Sequence, residues 1–507
     1  MWGFFFCNFK AMGIVQKDAV RTSIISFAGI GLGYLNKAVL FVLLFSTAQV
    51  GLLNLLMSVG LLFAQFANLG TIYTTWRFFP FFRNPAKHHY GFLLANFLLV
   101  IVGSILFTGL LYLLKPNVII LYSAKSPLFL TYFTWIVPLG IALVVFQLFE
   151  NYLRGMGKNV LPVMLQEIFL RLCITLLLGL FALQFLSFQW FVGLFVVVHF
   201  IPAIYLLLYL WRSKELIFSI KQIQIPSKFR RLILSYSGFS YVNSLATLLV
   251  ISMDALMIAQ LIGLDATGVY TTMLFLISAV VFPYRSIMRV ATPLIAKLWK
   301  ERNMQGLQEL YQKSSSVGLL LGLFGFLGVW VVIDPLLSMV PAYQTGKWVF
   351  FILMLGRLID MYFGLNGIIF STSKKYKIDL IFTVCLIGSV YFANLWLIPL
   401  FGIVGAAIST SSAYLLYNLL RGFYIQRHYR LFPYQLLQLK LFLLGIVTFF
   451  LFSLFGHLAA DWLPMKPFAQ IIVKELVLLL VFVYPIFVWN LEPETVGYIQ
   501  KIWKKWR

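Results

Sequence analysis

Charged residues inside long apolar runs carry most of the chemical information in this sequence. Lys37 lies 15 residues beyond Thr22 in the apolar run 22–45, beside Asn36. Glu167 and Arg171 are four apart and share one face of a helix, as do Arg285 and Arg289, while Arg357 and Asp360 are three apart. A lysine or arginine at the bilayer midplane costs about 2.5–3.5 kcal/mol on insertion scales, so such residues are expected to face a polar cavity rather than lipid. Lys37, Arg285 and Arg289, with Arg171 and Arg357, are the expected substrate-binding cations, and Asn36, Gln65, Asn68 and Asn243 the expected polar lining. Arginine matches phosphate oxygens bidentately, and bases outnumber acids here, so an anionic substrate is expected. Asp254 and Asp360 are the candidates for coupling to H+ or Na+.

Plainer roles compete with each of these. Glu167 and Arg171 could neutralise one another, Arg285 and Arg289 could snorkel to the inner surface as anchors, and Lys37 could reach a carboxylate on another helix. Asp254 could cap an outer turn, and Asp360 could simply partner Arg357. No catalytic residue, cofactor or metal is expected. Cys7, Cys173 and Cys385 are odd in number and sit in apolar surroundings, and His88 and His89 lack ligand spacing. No GxxxxGK loop is present for a nucleotide phosphate.

The elements that position these residues are membrane helices. The 507 residues are 62% hydrophobic, 18% aromatic and only 11% charged, which excludes a water-soluble globule. Apolar runs recur at 22–45, 49–72, 90–114, 127–149, 160–183, 188–211, 232–257, 267–291, 314–333, 347–370, 379–399, 402–422, 439–459 and 468–490. Each is long enough to cross about 30 Å of hydrocarbon at about 1.5 Å per residue, and none alternates as barrel strands do. The fold class expected is therefore all-α, a polytopic integral membrane protein of about 14 transmembrane helices. Pro138 is expected to kink its span, and the segment 293–313 to lie as a helix in the inner interface.

The formal charge of +24 reports topology rather than nucleic-acid binding. With the amino terminus inside, 31 of the 39 Lys and Arg fall on that side, and only Lys115, Lys125, Lys347 and Lys466 on the other. Both termini are therefore expected in the cytoplasm, with basic loops among anionic inner-leaflet lipids. The opening residues are too short an apolar run for a signal peptide, and Met12 is a second candidate start.

Two landmarks indicate duplication. Gly51 and Gly268 lie 217 residues apart, and so do Lys158 and Lys375. The expected organisation is a cytoplasmic N-terminal segment (1–21), an N-lobe of spans one to six (22–211) and a cytoplasmic linker (212–231). A C-lobe of spans seven to twelve (232–425), spans thirteen and fourteen (426–490) and a basic cytoplasmic tail (491–507) follow. An even number of spans per repeat makes the two copies parallel, with a cleft between lobes suited to alternating access.

The stretches IPLFGIVGAAIST, with Pro399, Gly402 and Gly405, and MDALMIAQLIGLDATGVYT, with Asp254 and Gly268, resemble those of the polysaccharide and O-antigen flippases. That family belongs to the multidrug/oligosaccharidyl-lipid/polysaccharide (MOP) exporter superfamily. The resemblance implies a flippase carrying an undecaprenyl-diphosphate-linked oligosaccharide from the inner to the outer leaflet of a bacterial inner membrane. It also implies a cationic cleft, and polysaccharide polymerase or assembly proteins as partners, but no nucleic acid. The alternatives are a lipid II-type precursor flippase, a MATE-like cation-coupled drug antiporter, and a glycan polymerase or ligase enzyme. The antiporter needs uncompensated cleft acids, and this chain offers mostly bases. The enzyme needs a large outer loop bearing reactive groups, and His457 and Asp461 are isolated.

Overall fold

The structure, a computed structural model, describes residues 14–84, 89–216, 227–373, 375–462 and 467–489. Residues 1–13, 217–226 in the linker and the basic tail 491–507 fall outside these, as do Cys7, Lys87, His88 and Lys466. Among the described residues every regular element is helical. Thirteen helices are long and apolar enough to cross a membrane, and a bent pair makes a fourteenth span. The chain is an all-α polytopic membrane protein. Its described residues divide into two compact units, one reaching Gly268 and the other beginning at Val269.

The first unit holds α1 (Val20–Leu44), α2 (Thr47–Ala67), α3 (His89–Tyr122), α4 (Phe133–Gly155), α5 (Val160–Ala182), α6 (Phe188–Arg212), α7 (Ser235–Leu261) and the first residues of α8 (Leu264–Lys300). A capping box starts α2: Ser46 Oγ accepts from Gln49 N at 3.3 Å, and Gln49 Oε1 accepts from Ser46 N at 3.0 Å. Leu52, Leu55, Leu56, Phe63 and Ala64 on α2 are fully buried, so this helix is the axis of the unit. α2 ends at Ala67, short of the expected boundary at 72. Asn68 stops it by accepting from Gly70 N at 2.8 Å, and a separate helix, Thr71–Phe82, follows. Pro138 falls in the first turn of the regular helix Ile136–Gly155, where its missing N–H leaves no helical acceptor without a donor.

The second unit holds the rest of α8, α9 (Met304–Ser338), α10 (Pro341–Phe363 with Asn366–Thr372), α11 (Ile378–Phe401), α12 (Ile403–Tyr429), α13 (Leu436–Leu454) and α14 (Pro467–Val488). Here α9 is central, with Leu319, Leu323, Leu327 and Val331 buried. The 37 residues of α8 and 35 of α9 span more than 50 Å at about 1.5 Å each, well beyond the hydrocarbon. The segment 293–313 is therefore not a separate interfacial helix. It supplies the overhanging ends of α8 and α9 around a turn at Asn303, whose side chain accepts from Gly306 N at 2.8 Å. Four glutamines then clamp the α12–α13 connection to α9. Gln308 exchanges two bonds with Phe432, and Gln438 Nε2 reaches the Pro433 carbonyl at 2.7 Å.

The α10 bend is 51° and falls at Gly364, whose φ of +55° and ψ of −115° only glycine adopts without strain. α11 and α12 meet at one residue, Gly402, with φ +61° and ψ −140°. Beyond it, a methyl group on Gly405 would overlap the Leu397 carbonyl. This is the loop-free turn with close packing that the Pro399–Gly405 stretch predicts.

Gly402→Ala is expected to cost about 1–3 kcal/mol through backbone strain, lowering the melting temperature of the detergent-purified protein. Gly388→Ala on α11, where an added methyl meets nothing within 4 Å, is expected to leave that temperature unchanged or raise it. Equal melting of the two variants would contradict the strain argument.

Candidate functional site

The expected cations gather into one cluster in each unit. In the first, two π-helical turns, Leu35–Leu40 in α1 and Leu165–Phe169 in α5, carry Asn36, Lys37 and Glu167. Such turns widen a helix by one residue and recur at functional sites. Asn36 is buried; its Nδ2 donates to the Arg171 carbonyl and its Oδ1 accepts from Thr175 Oγ1, both at 2.8 Å. Arg171 pairs with Glu167 at 2.5 Å and donates to the Gly29 carbonyl on α1. The side chain therefore ties α5 to α1 as well as pairing with Glu167, the neutralisation weighed for it in the sequence. Half-buried Lys37 lies within electrostatic reach of the Arg171 guanidinium and of the His199 imidazole on α6.

His199 is a site residue that the sequence reading missed. Its Nδ1 stands 2.7 Å from the Phe195 carbonyl. A carbonyl only accepts, so that nitrogen carries a proton. A lone histidine in VVVHFIP offers no spacing signal, and only the fold brings it to Lys37.

The polar lining expected around this cluster is divided. Asn68 closes the α2 turn, donating to the Gln65 carbonyl at 2.9 Å. Gln65 is buried, and its Nε2 has no partner among the described residues. Asn243 lies half-buried on α7, where its carbonyl accepts from Thr247 at 2.9 Å. Asp254 is 4% exposed, further along the same helix.

In the second unit α8 presents Arg285 and Arg289, both exposed, and neither has a carboxylate within 4.0 Å among the described residues. Arg285 lies within electrostatic reach of Arg357 and Asp360 on α10. The Arg357–Asp360 pair is loose, at 3.8 Å, and the guanidinium also sits 4.9 Å from the Tyr414 ring centroid. The other Asp360 oxygen accepts from Asn418 Nδ2 at 3.2 Å, and Asn418 Oδ1 accepts from Asn366 Nδ2 at 2.8 Å. Asn366 and Asn418 are both buried. A relay thus runs from Arg357 through α12 to the half of α10 beyond its bend. Asp360 is shared, and two guanidiniums converge on it.

One further pair was invisible in the sequence. Arg421, at the cytoplasmic end of the run 402–422, is half-buried on α12 against Asp379 of α11, Nε to Oδ1 at 2.7 Å, with the Tyr417 ring 4.0 Å away. Of the two histidines considered for metal binding, His89 contacts Glu215 at 3.0 Å and its Nδ1 accepts from Asn84 N. Among the described residues no group of three His, Cys, Asp or Glu could hold a metal ion.

No family model and no curated protein matches the sequence. The fold does match solved structures. A structure described as lipid II flippase MurJ in an inward closed conformation aligns at a TM-score of 0.70 and 15% identity, over 93% of this chain and 99% of that one. An inward-facing multidrug resistance MATE family transporter of the MOP superfamily aligns at 0.62 and 14%, over 82% and 98%. A MOP superfamily transporter from Pyrococcus furiosus, described as having a binding pocket of reverse polarity, aligns at 0.56 and 13%, over 82% and 96%. The chain therefore shares the fold of MOP-superfamily transporters.

Glu167→Gln is expected to destabilise the purified protein by about 1–2 kcal/mol, because it leaves the half-buried Arg171 guanidinium without its counter-charge. The double variant with Arg171→Gln should melt higher than the sum of the two single losses predicts. Strictly additive losses in a double-mutant cycle would show that the pair contributes nothing.

Proposed function

We propose that this chain is a flippase that moves a polyprenyl-diphosphate-linked saccharide from the inner to the outer leaflet of a bacterial plasma membrane. The observation that carries this reading is the loosely held guanidinium pair: among the described residues Arg285 has no carboxylate within 4.0 Å, and Arg357 shares Asp360, 3.8 Å away, with it. Lys37 and Arg171 against Glu167 repeat that positive excess in the first unit. A diphosphate headgroup meets such groups with charge-assisted bonds, whereas a cationic drug would be repelled.

The fold likeness favours a lipid-linked substrate, since alignment with the lipid II flippase structure takes in 93% of this chain and the MATE alignments 82%. Between a lipid II-type precursor and an O-antigen or other polysaccharide repeat unit, that same likeness supports the lipid II type. The two share the diphosphate and the prenyl tail, so the cationic clusters serve either. Nothing in the mechanism calls for catalysis. The charged headgroup has to be shielded from hydrocarbon while its tail stays in lipid. An inside-negative potential favours outward passage of two negative charges by about 4–5 kcal/mol per 100 mV if they cross the whole field.

The repeat is part of the same reading. Thr47 and Leu264 differ by 217 residues, as do Gly51 and Gly268. A methyl on Gly51 would overlap the Leu264 carbonyl, and one on Gly268 the Thr47 carbonyl. A contact that maps onto itself under the 217-residue shift is what an internal twofold produces. We take residues 22–211 and 232–425 as the parallel lobes, with both termini cytoplasmic. Polysaccharide polymerase or assembly proteins are proposed partners.

Lipid extraction from cells depleted of the protein tests the substrate. A diphosphate-linked saccharide is expected to accumulate on the inner leaflet, with its glycan distinguishing the lipid II type from a polysaccharide repeat. Wild type should rescue export, while Lys37→Ala and Arg285→Ala should reduce it at least about tenfold, the loss expected for one charge-assisted contact. Normal lipid distribution together with heightened sensitivity to cationic drugs would instead establish the antiporter. Cysteine labelling tests the topology: reagents added outside should reach Lys125→Cys and not Lys297→Cys.

A further inference from the structure

The short helix Thr71–Phe82 of the first unit buries Thr71, Thr74, Thr75, Phe78 and Phe79 on one face and leaves Trp76 on the other, 51% exposed. A tryptophan in an interfacial belt turns its N–H to water and headgroups and its ring to lipid. Trp76 is the reverse. Its Nε1 donates to Asn151 Oδ1 on α4 at 2.7 Å, and Asn151 is buried, with its own Nδ2 donating to the Gln147 carbonyl at 2.6 Å. The Tyr73 and Trp76 rings meet at 75°, centroids 5.7 Å apart, and the Tyr73 hydroxyl bonds the Ser244 side chain on α7. The indole is thus fixed through α4 and, by way of Tyr73, through α7, while about half of its surface stays uncovered.

A charged pair stands beside the ring. Arg154 is one turn along α4 from Glu150 and pairs with it at 2.7 Å, and its guanidinium carbon lies 5.9 Å from the Trp76 ring centroid. The Arg154 side chain is 42% exposed and that of Glu150 14%. Glu150 in turn is within electrostatic reach of Glu167 on α5, so the same polar surface runs on to the Glu167–Arg171 pair and Lys37. We propose that this surface is a saccharide-binding subsite: a neutral pyranose ring stacks on Trp76, and Arg154 and Glu150 hold its hydroxyls.

The chemistry selects a neutral, hydroxylated ligand. A pyranose carries C–H bonds on its faces, whose positive ends suit the negative face of an indole, and hydroxyls round its rim. An arginine already paired gains little from an anion, because the anion has to displace Glu150. A second cation over the ring would be repelled by Arg154, which holds that position already. A hydroxyl asks for neither exchange. It can accept from another of the five guanidinium donors and donate to a carboxylate lone pair with the ion pair intact. Fixing the indole beforehand also lowers the ordering cost of the contact. The inference rests on the reading proposed above, and it assigns the saccharide, rather than the diphosphate, to the Trp76 end of the first unit's polar surface.

Calorimetric binding to the detergent-purified full-length protein tests it with two probes, undecaprenyl diphosphate and the same lipid carrying a disaccharide of N-acetylglucosamine. The wild type is expected to bind the saccharide-bearing lipid at least about tenfold more tightly, the scale of one aromatic contact with the bonds it orients. Trp76→Ala should bring that ratio close to one, and Trp76→Phe, which keeps a flat apolar ring, should hold most of it. Arg154→Gln, which leaves the indole in place, should lower the ratio at least about threefold. Arg285→Ala should weaken both lipids and preserve the ratio. A ratio near one in the wild type, or one left unchanged by both Trp76→Ala and Arg154→Gln, as for an aromatic that only packs, would overturn the subsite and leave the flippase reading standing. Should neither lipid bind, the flippase reading itself fails and the subsite with it.

Discussion

Polar atoms in hydrocarbon have to be satisfied by the protein itself, and the pairing of the charges described within the spans follows from that constraint. Arg171 is the clearest case. Its guanidinium is held by Glu167 on its own helix and by the Gly29 carbonyl on α1, so one side chain neutralises a charge and joins two spans. Arg421 is treated in the same way by Asp379 and the Tyr417 ring. Against these two, the looseness of Arg357 is informative. A membrane helix that could have completed an ion pair has left it at 3.8 Å, with Tyr414 and Asn418 taking up the slack.

This contrast sorts the cations by use. A fully paired arginine contributes to assembly and has little left to offer a ligand, because displacing its carboxylate costs what the new anion would gain. A cation with an incomplete pair, or with none, can meet a phosphate without first losing a bond. On that ground Arg285, Arg289 and Arg357 are better placed than Arg171 for the anion-binding role proposed above, although the sequence presents all four as basic residues in or near apolar runs. For Lys37 the argument rests on place: it shares a π-helical turn with Asn36, on the wider stretch of helix that opens toward Arg171 and His199.

Helix number and nature were legible in the sequence because length and hydropathy act locally. Apolar runs of about twenty residues have one stable form in lipid. The turn at Gly402 was legible for a similar reason, since Pro399, Gly402 and Gly405 act within one stretch. Where local signals ran out, so did the reading. The end of α2 is set by an Asn68 side chain folding back on Gly70, and the bend of α10 by one glycine that hydropathy does not register. Partners in tertiary space were the hardest to foresee. Arg421 and Asp379 lie 42 positions apart and His199 lies far from Lys37, so no periodicity connects them.

The bend in α10 brings these threads together. A straight helix from Lys347 to Thr372 would satisfy its own backbone and would carry Asn366 on a fixed face. Breaking it at Gly364 leaves carbonyls without donors in a buried setting, a cost that persists only when something nearby compensates. Three serines, a tyrosine hydroxyl and an Asp–Asn–Asn relay surround that break, more polar atoms than a packing defect calls for. A packed interior has discrete arrangements rather than a continuum of them, so a break lined by hydroxyls holds α10 at a defined angle. The relay from Asn366 through Asn418 to Asp360 ties the far half of α10 to the carboxylate beside Arg357.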